Sequence, residues 1–294
     1  MKKIFLALGF ILGALIITTS CDSKRDFNDD MLFGMEYGDF PDIDPPIPPV
    51  TKHLKSVTSI DEDGYTGTAI YTYSSDKLTH VESNDEFNDT SFTYDVFYDA
   101  NDQINRIVIR DNDVVWATTT DLTISYNNGK FALATGTSTE EDSGDTYTTT
   151  ITPTYTGNKI TKIFCQRIYP LQPDGIDTLQ HDINYTGNNI SKWVSTVTID
   201  VPPITIQPII ITSTFSEYDN HINPNSTLPE VFNIVSSNYE LGSVVGFSDN
   251  NHGKMNVVTF GDNQTATATY TYDADGYPIK VVASNGSTAT IEYQ

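Results

Sequence analysis

The sequence predicts an all-β fold: a long antiparallel β-meander of repeated hairpins, about 14 strands in all, strongly curved or closed like a barrel. Three observations predict it. A tyrosine, a short polar turn and two apolar residues three positions apart recur along the chain, from Tyr73-Ser-Ser-Asp-Lys-Leu78 to Tyr272-Asp-Ala-Asp-Gly-Tyr-Pro278. Before each turn apolar and polar residues tend to alternate, as in Ala266, Ala268, Tyr270 and Tyr272 against Thr265, Thr267, Thr269 and Thr271, which sends one set to each face of a sheet. Thr, Tyr, Val and Ile fill these runs, and such side chains suit a pleated surface.

Taken in order, Lys2 and Lys3 precede an apolar run from Ile4 to Ile17, and Thr18, Thr19 and Ser20 lead to Cys21. That run is shorter than the roughly 20 residues of a membrane-crossing helix, so residues 1–20 read as a secretory signal peptide. Residues 21–50 carry acidic side chains from Asp22 to Asp44 and prolines from Pro41 to Pro49, with little apolar pattern. Such a segment cannot bury a core and favours extended geometry, so it reads as an acidic, proline-rich tether. Residues 51–294 then form a single β-repeat domain.

Its copies begin at Tyr73, Tyr98, Tyr126, Tyr155, Tyr185, Tyr218 and Tyr272. Each contains Asn, Asp or Gly where a hairpin must reverse, because these residues tolerate the positive φ angles that a reversal requires. Two strands per copy give the strand number. One short helix is expected near 228–236: Ser226 or Thr227 can cap it, Pro229 suits a first turn, and Val231 and Val235 share a face. It falls in the longest interval between tyrosines, Tyr218 to Tyr272, as an insertion packed across the end or concavity of the sheet would.

The end of the apolar run resembles the lipobox of bacterial lipoproteins, which implies acylation of Cys21 and attachment to a lipid bilayer. Acidic residues just beyond it resemble the surface-export signals of Bacteroidetes lipoproteins, implying an outer-membrane location facing the exterior. The tyrosine, Asp-x-Asp-Gly and apolar-x-Lys-apolar series resembles the YD repeats of Rhs-type secreted proteins. With Tyr218-Asp, Asn223-Pro224, Leu228-Pro229 and Ser237-Asn238-Tyr239, the chain resembles over nearly all of 51–294 a Bacteroidetes lipoprotein family of unknown function, described as having a porin-like fold. That family implies no catalytic residues. A lipid-spanning barrel shows an apolar band about 25 Å tall with aromatic girdles, whereas strands such as Thr146-Tyr-Thr-Thr-Thr-Ile-Thr-Pro153 are polar. The expected form is therefore a soluble β structure held by its lipid.

A formal net charge of −23 argues against nucleic acid as a partner, since phosphate backbones are bound by clustered Lys and Arg. With Cys21 acylated, Cys165 is the only other cysteine, and it is expected in the core. Asp273-Ala-Asp-Gly and Asp99-Ala-Asn-Asp lack the glutamate that completes a calcium loop, position 12 being Ser284 or Arg110, so both read as turns. No His-x-x-x-His pair, nucleophile elbow or phosphate loop is present, and no catalytic residue, cofactor or metal site is predicted. Paired carboxylates remain open, because their separation depends on the fold. Trp116 and Trp193 are the ligand-binding candidates, as flat amphipathic faces. The leading expectation is a non-enzymatic surface protein binding glycan or another macromolecule. The alternatives are a structural envelope protein without ligand and a polysaccharide-acting enzyme.

Overall fold

The computed structural model describes residues 52–86, 89–112, 117–169, 175–201, 204–239 and 245–294; the segments expected to be a signal peptide and a tether, with Cys21, and Trp116 lie outside them. The first strands are β1 (Leu54–Ile60), β2 (Thr66–Ser74), β3 (Lys77–Asp85), β4 (Thr90–Tyr98) and β5 (Ile104–Asp111). Next come β6 (Thr118–Asn127), β7 (Lys130–Glu140), β8 (Thr146–Thr156), β9 (Lys159–Tyr169) and β10 (Gly175–Thr186). They are followed by β11 (Asn189–Val201), β12 (Ile204–Ser216), β13 (Lys254–Thr259), β14 (Asp262–Tyr272), β15 (Pro278–Ala283) and β16 (Thr288–Tyr293). Each pairs antiparallel with its sequence neighbours, and β1 pairs with β16, so the sheet is a closed barrel without an edge.

The three-residue spacing of the apolar pair has a physical cause. In every two-residue hairpin of the series the register shifts at the tyrosine: Tyr155 faces Ile160 while Thr154 faces Lys162, leaving Thr161 as an extra, bulged residue. The same shift occurs at Tyr73, Tyr98, Tyr126, Tyr185 and Tyr272. One inserted residue converts a period of two into a step of three, so both apolar residues point inward. The turns follow their residues too. Ser75-Asp76 and Asn128-Gly129 have positive φ at both central positions, the twist-matched form of a two-residue hairpin.

Tyrosine copies account for β2 to β15, and β1 and β16 are the two strands beyond that count. Tyr293 faces Leu54 and Glu292 faces Ser56, the same bulged register, while His53 and Gln294 exchange backbone hydrogen bonds of 3.0 and 2.9 Å. This is an eighth hairpin, assembled from distant segments in place of a turn.

Inside and outside differ sharply. On β8 the exterior receives Thr146, Thr148, Thr150, Thr152 and Thr154, whereas Thr149, Ile151 and Pro153 are buried inward. Inward residues of all the strands meet in one core with the insertion between β12 and β13, which runs through a 3-10 turn (Pro224–Thr227) and helix α1 (Glu230–Ser236). The helix lies where expected, but Pro229 itself is the residue before the first turn and no side chain caps it. Val231 to Ser236 are all buried, so α1 is enclosed by the wall rather than laid over one face. Phe232 meets the ring of Tyr94 on β4 edge-on at 5.3 Å. The lumen is filled.

Candidate functional site

At the rim that carries the tyrosines, the repeat obeys a bonding rule. The Tyr98 hydroxyl donates to the Leu78 carbonyl at 3.0 Å, Tyr126 to Ile104 at 2.8 Å, and Tyr293 to Pro278 at 2.9 Å; Tyr218 donates to Ile190 in the same way. Each tyrosine thus satisfies the backbone where the preceding hairpin bulges. Four copies depart from the rule, and one of them, Tyr73, has a buried hydroxyl with no partner among the described residues. Tyr155 donates to Glu230 Oε1 at 2.9 Å and Tyr272 to the Asp219 carboxylate, both in the insertion. The Tyr185 hydroxyl makes no hydrogen bond among the described residues.

Tyr185 lines a cavity of about 330 Å³ between the β8–β9 turn, the β10–β11 turn and the insertion. Asn158, Lys159 and Asn188 come from the turns, and Glu230, Phe247 and Asp249 from the insertion. Its floor includes Leu228, Asn233 and Gly246. The Asn233 amide donates to the Asn225 carbonyl at 3.0 Å. A methyl group on Gly246 would stand 2.7 Å from Asn233 Nδ2, so glycine is required for that approach.

The walls are fixed by amide contacts. Asn188 Nδ2 donates to Asp249 Oδ2 at 2.7 Å, and Asn189 and Asn250 exchange hydrogen bonds of 3.1 and 3.0 Å, fastening the insertion to the β10–β11 turn. Lys159 lies over the Tyr185 ring, 5.0 Å from its centroid, and donates to the Gly187 carbonyl and to Asn188 Oδ1. Burial first, and then the charge of Glu230, push the phenols of Tyr155 and Tyr185 above their ordinary value, so both stay protonated donors at neutral pH. The cavity therefore offers hydroxyl, amide and carboxylate groups beside Phe247 and Leu228. That set binds polar ligands with apolar faces.

Trp193 sits elsewhere, in the wall. It is 7% exposed, and its Nε1 donates to His181 Nδ1 at 2.9 Å, so its ring and its polar handle are both engaged by the protein. Because that Nδ1 accepts, His181 carries its proton on Nε2 and donates to the Ser237 carbonyl at 3.1 Å, pinning the end of α1 to β10. Arg167 also points inward, donating to the Asn238 carbonyl at 3.4 Å with its guanidinium 5.6 Å from the centre of the Tyr239 ring. Cys165 is buried, and burial pushes its thiol up to about 11, as expected of a packing residue.

The Asp-x-Asp-Gly turn is used by the chain itself. Asp273 Oδ1 accepts from the backbone of Asp275 and Tyr277 at 3.0 and 2.9 Å, and Asp61 and Asp99 do the same in their loops. Lys52 Nζ stands 2.6 Å from Asp273 and 2.5 Å from Asp275, placing an ammonium between the two carboxylates. Sequence reasoning identified Tyr185 only as a repeat element and missed Asn188, Glu230 and Asp249 as cavity residues. The signals for them were the successive Thr-Gly-Asn turns at 156–158 and 186–188 and the long interval that marks the insertion.

No protein-family model matches the chain, and no curated protein matches it either. Among solved structures it is similar to a porin-like protein from Bacteroides vulgatus ATCC 8482, with 9% identity and a TM-score of 0.46, over 83% of this chain and 99% of that one. It is also similar to a porin-like protein from Bacteroides uniformis ATCC 8492, with 16% identity and a TM-score of 0.49, over 82% and 96% respectively.

Proposed function

We propose that the chain is a lipid-anchored cell-envelope protein, displayed outward from the outer membrane, whose rim cavity binds glycan without transforming it. The observation that carries the binding reading is the break in the tyrosine rule. Tyr98, Tyr126, Tyr218 and Tyr293 spend their hydroxyls on the preceding bulge, yet at this cavity two successive copies depart together: Tyr155 is diverted to Glu230 and Tyr185 is left with a donor, whereas the partnerless hydroxyl of Tyr73 is sealed from solvent. Departures from an internally consistent pattern concentrate at functional sites. The anchoring part rests on the signal and on Cys21. Threonine on the exterior of β8 and apolar residues within suit a barrel in water, the reverse of one facing lipid.

Titrating the full chain carrying Cys21→Ala with a glycan panel tests binding by calorimetry: a submillimolar dissociation constant is expected, and silence across the panel would favour a purely structural role. Protease added to intact cells should shave the anchored protein, and Cys21→Ala should release it from the membrane. Protection in intact cells would contradict outward display.

A further inference from the structure

We infer that the rim cavity selects neutral saccharides and rejects anionic ones, a reading that rests on the glycan-binding role proposed above. Three charged side chains line the cavity: Lys159, Glu230 and Asp249. The cation is already engaged. Lys159 gives two of its three ammonium hydrogens to the Gly187 carbonyl and to Asn188 Oδ1 and covers the Tyr185 ring, so its charge is held against the turn and is outnumbered by the two carboxylates.

The carboxylates are each half engaged. Glu230 receives the Tyr155 hydroxyl on Oε1 and Asp249 receives the Asn188 amide on Oδ2. Their second oxygens accept nothing among the described residues. Two acceptor oxygens facing one cavity suit the hydroxyls of a sugar, which donate. A ligand carboxylate or sulfate there would meet two like charges against one ammonium already bonded to the turn, the arrangement by which a site excludes the wrong partner. The formal net charge of −23 adds a repulsive field against anions at long range, and it slows their approach more at low salt.

The rest of the lining fits the same ligand. Phe247 and Leu228 offer apolar surface to the C–H face of a pyranose, and the Tyr185 hydroxyl supplies a donor. A cavity of about 330 Å³ lies at the small end of ligand pockets and has room for roughly two sugar rings.

The test uses matched pairs: mannohexaose, cellohexaose and maltohexaose, each against the same oligosaccharide oxidised to carboxylate at C6, titrated into the full chain carrying Cys21→Ala by calorimetry. At least one neutral oligosaccharide should bind with a submillimolar constant, its oxidised partner at least about tenfold more weakly. Glu230→Gln with Asp249→Asn, both at exposed positions, should shrink that gap below about threefold. An oxidised oligosaccharide that binds as tightly as its neutral partner would overturn charge selection while leaving the glycan site standing. A gap unchanged in the double variant would overturn it as well. Failure of all six to bind would overturn both readings.

Discussion

Lys159 on β9 covers the ring of Tyr185 on β10, its Nζ 5.0 Å from the ring centroid, and bonds to the turn that follows that tyrosine. Lys130 treats Tyr155 alike at 5.0 Å, bonding to Gly157 and Asn158, and Lys77 lies 5.4 Å from the Tyr98 ring and bonds to Asp102. Successive hairpins are thereby tied lysine to tyrosine to turn around the rim. Lys77→Met, away from the cavity, should cost no more than about 1 kcal/mol, because exposed cation–π contacts are weak. Lys159→Met should in addition weaken glycan binding, since it releases Asn188. Denaturant unfolding and calorimetry on the two variants check this; equal loss of affinity in both would count against it.

His181 makes stability depend on pH. Burial lowers its pKa from the ordinary 6.5 to about 4, although its bond to Ser237 and the charge of Asp182 oppose the shift. Between those two values the unfolded chain binds a proton that the folded chain does not, so this contribution is complete above about pH 6.5 and fades as pH falls toward 4. Its size is about 3 kcal/mol. His181→Gln should flatten the stability profile over that window relative to the natural chain, although it also loses the paired bonds to Trp193 and Ser237. Parallel pH profiles for the two proteins, by urea unfolding, would contradict the assignment.

Gly246→Ala should disturb the insertion. The new methyl would lie 2.7 Å from Asn233 Nδ2 and 3.2 Å from Asn225 Cβ, while Asn233 is held by its bond to Asn225. A loss of about 1–3 kcal/mol is expected from overpacking, together with weaker binding at the cavity. A thermal midpoint unchanged by the substitution would mean that the floor is free to shift.

Calcium should leave the protein indifferent. Lys52 occupies the space between Asp273 and Asp275, and Asp273 is already committed to the backbone of its own turn. Millimolar calcium or a chelator should leave the unfolding temperature unchanged. Lys52→Met, which removes the ammonium, is the variant in which a calcium response would first become visible.

Much of the architecture was legible in the sequence, because hairpins are written locally. Tyr73, Tyr98, Tyr126, Tyr155, Tyr185 and Tyr272 each mark a turn whose Asn, Asp, Gly or Ser residues set the backbone. The three-residue apolar step was visible too, although its meaning as a bulge appears only in the register. Closure was not legible: the partnership of Leu54 with Tyr293 depends on the accumulated twist and shear of the whole sheet, which no local window contains. Nor was the cavity. Asn188 and Asp249 meet because the insertion folds back into the barrel, a contact between segments 61 residues apart that no local pattern announces. Trp193 stood out for its size, which served packing.

Tyr185→Phe and Tyr126→Phe, compared by calorimetry and thermal unfolding against the same neutral oligosaccharide, test most directly whether the broken tyrosine rule marks a binding site. Tyr126→Phe removes a bond to the Ile104 carbonyl and should cost about 1 kcal/mol, or roughly 2–4 °C, without altering affinity. Tyr185→Phe should leave the unfolding temperature within about a degree and lower affinity several-fold. Equal affinity in the two variants, with Tyr185→Phe the less stable, would show Tyr185 to be structural and contradict a binding site at this rim.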